Sequence, residues 1–304
     1  MDKQARALVL GASGMVGQAL YRVLTQRGVS VVGTTHTTLV ADLVACDLQD
    51  AKAVSDLITA IRPAWIFVPA GWTYVDGCEQ DPNRSWQINV KPIATIIRAA
   101  RLIGSQIIYF SSDYIFNGQE GPYSEEACAD PLSIYGRHKL ATEHYLALYA
   151  PQSLIVRTTW VYGFDLRARS FVHTIVRRLK EDRPIMVAND QWGNPTFAGD
   201  LAFVTIRLAE QQRRGVWNVV GPERLSRAAW AEQIVQVWNG DSTRITAVPT
   251  DSLNLVAARP LQAGLTIDKI HQVDLTVSAP DRSLGTVLRC IRDASQGHGS
   301  LATT

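Results

Sequence analysis

Tyr135 and Lys139 stand four positions apart in the run Tyr135-Gly136-Arg137-His138-Lys139. On a helix, residues i and i+4 share one face, so a phenol and an ammonium can enter one site. A phenol ordinarily titrates near about 10, too high for easy proton exchange at neutral pH, and a nearby cation favours the phenolate and lowers that value. Such a pair suits proton donation to a carbonyl oxygen while hydride reaches the carbon. A hydroxyl is also needed to polarise the carbonyl, and Ser111-Ser112-Asp113-Tyr114 supplies one at the end of an apolar strand. Ser112 is preferred over Ser111; a capping serine is the structural alternative. Tyr-x-x-x-Lys alone is common by chance, so its placement in the chain carries the reading.

Hydride needs a carrier, and the chain offers a place for one. Gly11-Ala12-Ser13-Gly14-Met15-Val16-Gly17 falls between a first apolar strand and a first helical pattern. Glycines there allow a tight turn, close backbone approach to a pyrophosphate and close helix–strand packing. The free N–H groups of that loop and the positive helix end then face the phosphates, which places Gly11, Ser13, Gly14, Met15, Val16 and Gly17 in a dinucleotide site. NAD-type sites carry an acid at the end of the second strand. Here that position reads Gly33-Thr34-Thr35-His36-Thr37. With no acid present, Thr34 and His36 favour NADPH, and NADH remains open. Asp47 and Leu48 follow a short apolar run, and Asp47 also reads as a helix N-cap.

These groups require a scaffold. A chain of 304 residues suits one dinucleotide-binding domain plus a smaller lobe. With 46% hydrophobic and 19% charged residues it is an ordinary globular chain. A net charge of +2 gives no strong pull toward nucleic acid or membrane, and neither is expected as a partner. The four cysteines form no CxxC and the six histidines no HxxxH, so neither a disulfide framework nor a metal site is expected. The N-terminus runs straight into a strand without the apolar core of a signal peptide. No apolar run approaches the ~20 residues that span a bilayer. A cytoplasmic protein is expected, with a homodimer as the default assembly.

Apolar strands at 7–10, 29–33, 65–68, 107–110 and 154–156 alternate with helical patterns, the signature of a parallel sheet covered on both faces. Further helices are predicted over 171–180, 201–211 and 228–238, and the end from about Gln296 reads as frayed. The expected fold is α/β, a doubly wound parallel sheet with a smaller C-terminal substrate lobe. Residues 1–160 form the dinucleotide-binding domain, to which the chain returns at about 198–222. Residues 161–197 and 223–304 form the lobe.

The GxxGxxG spacing resembles the extended short-chain dehydrogenase/reductases, whose nucleotide-binding half is a Rossmann fold. Phe110-Ser111-Ser112-Asp113-Tyr114-Ile115-Phe116-Asn117-Gly118 resembles the STDYVFDG signature of the dTDP-4-dehydrorhamnose reductase family. The likeness continues through Val75-Asp76, Glu79, Pro82, Gly121-Pro122-Tyr123 and Pro131-Leu132-Ser133-Ile134-Tyr135-Gly136. It extends through Arg157-Thr158-Thr159-Trp160-Val161-Tyr162-Gly163, Asp190-Gln191-Trp192-Gly193-Asn194-Pro195-Thr196 and Arg259-Pro260. The resemblance implies a reductase that delivers hydride to the C4 ketone of a nucleotide-linked deoxysugar. It implies Tyr135 as proton donor, Lys139 as the group that tunes it and holds the nicotinamide ribose, and Ser112 as the carbonyl partner. Asp47 and Leu48 would flank the adenine. Tyr114 and Trp160 would line the sugar pocket, and Asn194, Thr196 and Arg259 would face the nucleotide diphosphate; packing or surface charge is the alternative for Tyr114, Trp160 and Arg259.

Two departures stand out. Where the family has Asn-Ala-Ala-Ala after the fourth strand, this chain has Val68-Pro69-Ala70-Gly71. Ala70 and Gly71 keep their place beside the cofactor, Pro69 removes one N–H, and Trp72 brings bulk toward the substrate. Two alternatives compete: an epimerase or dehydratase of the same superfamily, and a non-catalytic NADP-binding module similar to the regulatory subunit of methionine adenosyltransferase. A dehydratase calls for an acid pair beside the catalytic hydroxyl, and Asp113 is the one acid there.

Overall fold

The computed structural model describes residues 6–36, 40–164, 170–273 and 284–295. Thr37 and the end from Gln296 lie outside the described residues. Strands β1 (Arg6–Val9), β2 (Ser30–Thr35), β3 (Leu43–Ala45), β4 (Trp65–Val68), β5 (Gln106–Ser112) and β6 (Leu154–Thr158) join the strand Gly215–Asn218 in one sheet. Its spatial order is Gly215–Asn218, β6, β5, β4, β1, β2, β3, and every pair is parallel. Helices cover both faces. From β1 the chain winds to one edge through β2 and β3, then crosses back to β4 on the other flank of β1. At such a reversal a crevice opens beyond the C-terminal strand ends, where open α/β sheets take ligands.

Strand periodicity explains why β1 is apolar throughout. Successive side chains point to opposite faces. Ala7 and Val9 enter a core with Leu20, Leu24, Val204 and Ile206, while Leu8 and Leu10 enter another with Val54, Ile58, Ile93 and Ile97. A sheet buried on both sides needs this continuous apolar run. The short β3 escapes sequence detection because Val44 and Ala45 are exposed at the sheet edge, and no burial pattern marks them.

The main helices are α1 (Met15–Gln26), α2 (Ala51–Ile61), α3 (Val75–Gln80), α4 (Pro82–Asn89), α5 (Lys91–Ile103), α6 (Ile134–Tyr149), α7 (Phe171–Lys180), α8 (Ala198–Glu210) and α9 (Arg227–Val237). The helix predicted from residue 201 begins at Ala198, and it packs with α1 into one core. The N-cap of α2 is Asp50, which accepts from the N–H groups of Lys52 and Ala53; Asp47, the expected cap, lies three residues too early. Apart from the seven-stranded sheet, Ile185–Ala188 pairs in parallel with Ile245–Val248. Trp230, Ile175, Ile234 and Leu288 belong to a separate core cluster beside this pair. Among the described residues no helix is long and apolar enough to cross a membrane.

Candidate active site

Helix α6 starts where two side chains satisfy its first N–H groups. Ser133 accepts from Gly136 N at 3.2 Å, and Glu79 of α3 accepts from Ile134 N at 2.9 Å. That start sets the rotation of the helix, and Tyr135 and Lys139 both point inward, 8% and 6% exposed. Lys139 Nζ lies 5.7 Å from the centre of the Tyr135 ring and donates to Phe110 O at 2.7 Å. At the end of β5, Ser112 Oγ donates to Asp113 Oδ1 at 3.1 Å and accepts from Tyr114 N at 3.3 Å, opening a short 3₁₀ turn. Among the described residues Ser111 Oγ is buried without a hydrogen-bond partner.

Burial governs the electrostatics. It pushes the Tyr135 phenol well above its usual range, with Cys78, Tyr114 and Asp113 adding to the rise and Ser112 opposing it. Burial also brings Lys139 down to about 8, against Glu143 and Cys78. Burial is the largest cause of the rise, so the Tyr135 phenol is held protonated, and Lys139 is not among the groups that shift it. Asp113 is raised to about 6, chiefly by burial, while Thr159 and Ser112 act in the other direction.

The glycine loop lies at the strand-order reversal. Gly11 has φ of 93°, and a Cβ there would sit 2.8 Å from the Ala70 Cβ, so the loops after β1 and β4 touch only because residue 11 has no side chain. Ala70 N reaches Leu10 O at 3.2 Å across the same gap. Among the described residues no side chain caps α1, which leaves the first-turn N–H groups of Met15, Val16 and Gly17 for a ligand. An uncapped helix start behind a glycine turn fits a dinucleotide pyrophosphate.

The hydroxyls of β2 brace this loop from behind. Thr34 Oγ1 accepts from Gly11 N at 3.0 Å, and Thr35 Oγ1 donates to Ser13 Oγ at 3.1 Å. Thr34, expected beside the ribose, is buried and spent on the loop. His36 is exposed at the end of β2, with Nε2 3.6 Å from Asp47 Oδ2. Asp47 Oδ1 accepts from Gln49 N at 2.9 Å, and Leu48 packs toward the second core. Gly71 is exposed on the loop after β4. Among the described residues no group of three or more His, Cys, Asp or Glu could hold a metal.

Beside Tyr135, a cleft of about 350 Å³ is lined by Tyr74, Asp76, Tyr114, Phe171, Arg227 and Arg259 among others. The Tyr114 ring meets the Tyr135 ring edge-on at 5.7 Å, so the cleft opens one ring away from the phenol. Arg259 is held by Asp76 at 2.9 Å and by Ala257 O at 2.8 Å. Trp160 adopts a left-handed backbone with φ of 44°, stacks on Trp230 at 5.5 Å and carries the Arg227 guanidinium 3.8 Å above its ring.

Three expected substrate residues are placed differently. The indole of Trp72 lies against Gly77 and 4.8 Å from the Arg84 guanidinium, so it covers α3, and Tyr74 stands at the cleft instead. Asn194 donates to Gly221 O at 3.1 Å and accepts from Leu265 N at 2.9 Å. Thr196 Oγ1 donates to Asn194 O and accepts from Gly221 N. Both side chains are buried and tie three loops together.

Over residues 5–289 the sequence matches the family described as RmlD substrate binding domain. The chain belongs to this family. It is 30% identical to a dTDP-4-dehydrorhamnose reductase of Aggregatibacter actinomycetemcomitans over 280 residues, covering 88% of this chain and 92% of that one. A dTDP-4-dehydrorhamnose reductase of Escherichia coli K12 is 30% identical over 292 residues, 91% and 94% of the two chains. The solved dTDP-4-dehydrorhamnose reductase of Bacillus anthracis, in complex with NADP, superposes with a TM-score of 0.86 at 26% identity, covering 96% of this chain and 99% of that one.

Within the RmlD substrate-binding-domain family, the Val68-Pro69-Ala70-Gly71 loop of this member is held by a residue that sequence reasoning passed over. Asn89 at the end of α4 accepts from Trp72 N at 2.7 Å and donates to Trp72 O at 3.1 Å. One amide thus fixes the backbone just beyond the proline. Arg227 likewise gives no local signal in the sequence. It immediately precedes a predicted helix, and a lone basic residue there reads as solvated, with nothing in the sequence to place Trp160 beneath it.

Proposed function

We propose that this chain is an NADPH-dependent reductase that delivers hydride to the C4 ketone of a nucleotide-linked 4-dehydro-6-deoxysugar, as its relatives' names describe for dTDP-4-dehydrorhamnose. The observation that carries the reading is the meeting of Ser112, Tyr135 and Lys139 at the end of β5, beside the crevice beyond β1 and β4. When bound, NADPH supplies the hydride. Met15, Val16 and Gly17 N–H groups hold the pyrophosphate, with Ala70 and Gly71 along its other side. His36, exposed where an acid would favour NAD, supports the preference for a 2′-phosphate.

Ser112 turns its hydroxyl from Asp113 Oδ1 to donate to the substrate carbonyl and polarises it. Tyr135 gives its proton to O4 as charge develops there. Its raised pKa suits this direction, because reduction consumes a protonated phenol, and burial keeps it in that form until an alkoxide of comparable basicity appears. Lys139 is charged below about pH 8 and stabilises the phenolate left behind. Tyr114 walls the sugar, and Arg259, oriented by Asp76, faces the diphosphate.

The test is loss of reduced-nicotinamide absorbance with dTDP-4-dehydro-6-deoxysugars, comparing NADPH with NADH and wild type with Tyr135→Phe. Turnover favouring NADPH and lost in Tyr135→Phe is expected. Absence of turnover despite measurable cofactor binding overturns the assignment.

A further inference from the structure

Arg227 has a setting unlike that of any other arginine at the cleft. Its guanidinium is enclosed by aromatic rings, 3.8 Å from the centre of Trp160, 4.7 Å from Phe171 and 5.6 Å from Trp230. Among the described residues it makes neither an ion pair nor a side-chain hydrogen bond, whereas Arg259 across the same cleft is held by Asp76. Burial lowers Arg227 to about 10, Arg259 lowers it further, and Tyr114 and Asp113 act in the other direction. It therefore remains charged at neutral pH.

A desolvated, unpaired guanidinium is costly unless a ligand anion completes it. Stacking on Trp160 uses the face of the guanidinium and leaves its N–H edge free, and that planar fork matches a phosphate. Position decides which part of a ligand meets it. A hexose whose C4 reaches Tyr135 carries its anomeric oxygen at the opposite end of the ring. The phosphate on that oxygen then lies past Tyr114, inside the cleft that Arg227 lines. A neutral deoxysugar offers no other charge.

Resting on the reductase reading above, we propose that Arg227 is a specificity-determining residue that reads the diphosphate of the nucleotide sugar together with Arg259, with Trp160 as its platform. The left-handed backbone of Trp160 is then explained: it lays the indole flat on Trp230, with an interplanar angle of 8°, and presents the outer face to the guanidinium.

The test measures binding of dTDP, inorganic pyrophosphate and thymidine by calorimetry at fixed ionic strength. Wild type is compared with Arg227→Met, which keeps the apolar stem on the rings, and with Arg227→Lys, which keeps the charge and loses the fork. Arg227→Met is expected to weaken dTDP and pyrophosphate by roughly 10- to 100-fold, the loss of a charge-assisted contact. Arg227→Lys is expected to fall between the two, and thymidine binding to stay unchanged. With the dTDP-sugar, KM should rise while kcat changes far less, the signature of lost uniform binding.

Unchanged dTDP affinity in folded Arg227→Met overturns the proposal and leaves the reductase standing. So does a loss for thymidine as large as that for dTDP, because that marks a packing role. A wild type that binds neither dTDP nor pyrophosphate also overturns it. A protein that turns over no keto-sugar, yet loses dTDP affinity on substitution, sinks the reductase and keeps Arg227 as a phosphate reader.

Discussion

Lys139 Nζ donates to the carbonyl of Phe110 at 2.7 Å, joining α6 to β5 two residues before Ser112. The contact fixes the ammonium relative to both hydroxyls of the site, at the cost of removing it from water. Desolvation lowers Lys139 to about 8, while the Tyr135 phenol is pushed far above. Of the two groups, the lysine therefore titrates first on the alkaline side. Activity, as kcat/KM, is expected to fall as pH rises through about 8 as the cation is lost. A profile flat to pH 10 would mean that Lys139 is not required in its charged form.

The same burial makes Lys139 a stability liability. It binds its proton less tightly folded than its usual 10.5 allows in the unfolded chain, so between about 8 and 10.5 the unfolded state holds more protons and stability rises with pH. Below pH 8 the fold carries the full penalty, at most about 3 kcal/mol, less what the Phe110 contact returns. Lys139→Met should raise the denaturation midpoint at pH 7, lose that advantage toward pH 10, and abolish turnover. A variant no more stable than wild type at pH 7 would contradict this account.

Helix α6 carries a second buried charge one turn further on. Glu143 pairs with Arg157 of β6, Nη2 to Oε2 at 2.8 Å, with both side chains under a tenth exposed. Arg157 also donates to Glu125 O at 3.0 Å. Glu143→Gln leaves a buried guanidinium without its counter-charge, which costs about 3–5 kcal/mol. Glu143 also opposes the lowering of Lys139. The variant should therefore unfold at lower denaturant, and the alkaline limb of its pH profile should move to lower pH. Urea titration and the profile check the two effects separately; a weaker fold with an unmoved limb leaves Glu143 a structural role alone.

Much of this was legible in the residues, for reasons that differ by position. The strands at 7–10, 65–68 and 107–110 declare themselves because a sheet buried on both faces demands unbroken apolar runs. Tyr135 and Lys139 are legible as neighbours because a helix sets i and i+4 on one face, and Ser112 because it ends an apolar strand. Asn194 and Thr196 lie in an equally suggestive motif, yet they bond to Gly221 and Leu265, and such distant partners leave no mark on local sequence. Trp72 fails similarly: the indole's resting place depends on Gly77 and Arg84 in helices too short for a periodic pattern. Arg227 acquires its meaning only when the fold sets Trp160 beneath it.

The glycine loop allows its structural and ligand-binding roles to be separated. At Gly11, φ of 93° and a Cβ 2.8 Å from Ala70 mean that alanine strains the backbone and pushes two strand-end loops apart. Gly11→Ala is expected to cost about 1–3 kcal/mol of stability and also to weaken cofactor binding. Gly14 has an ordinary φ of −85°, and a Cβ there meets only Gly11 O, at 3.5 Å. Gly14→Ala therefore leaves the fold within about 0.5 kcal/mol of wild type. Its methyl group stands on the open side of the loop, where the uncapped N–H groups of α1 would meet a pyrophosphate. Calorimetry should find the NADPH affinity of Gly14→Ala reduced at unchanged thermal stability. An undiminished affinity would remove the loop from the cofactor site, whatever Gly11→Ala does to the fold.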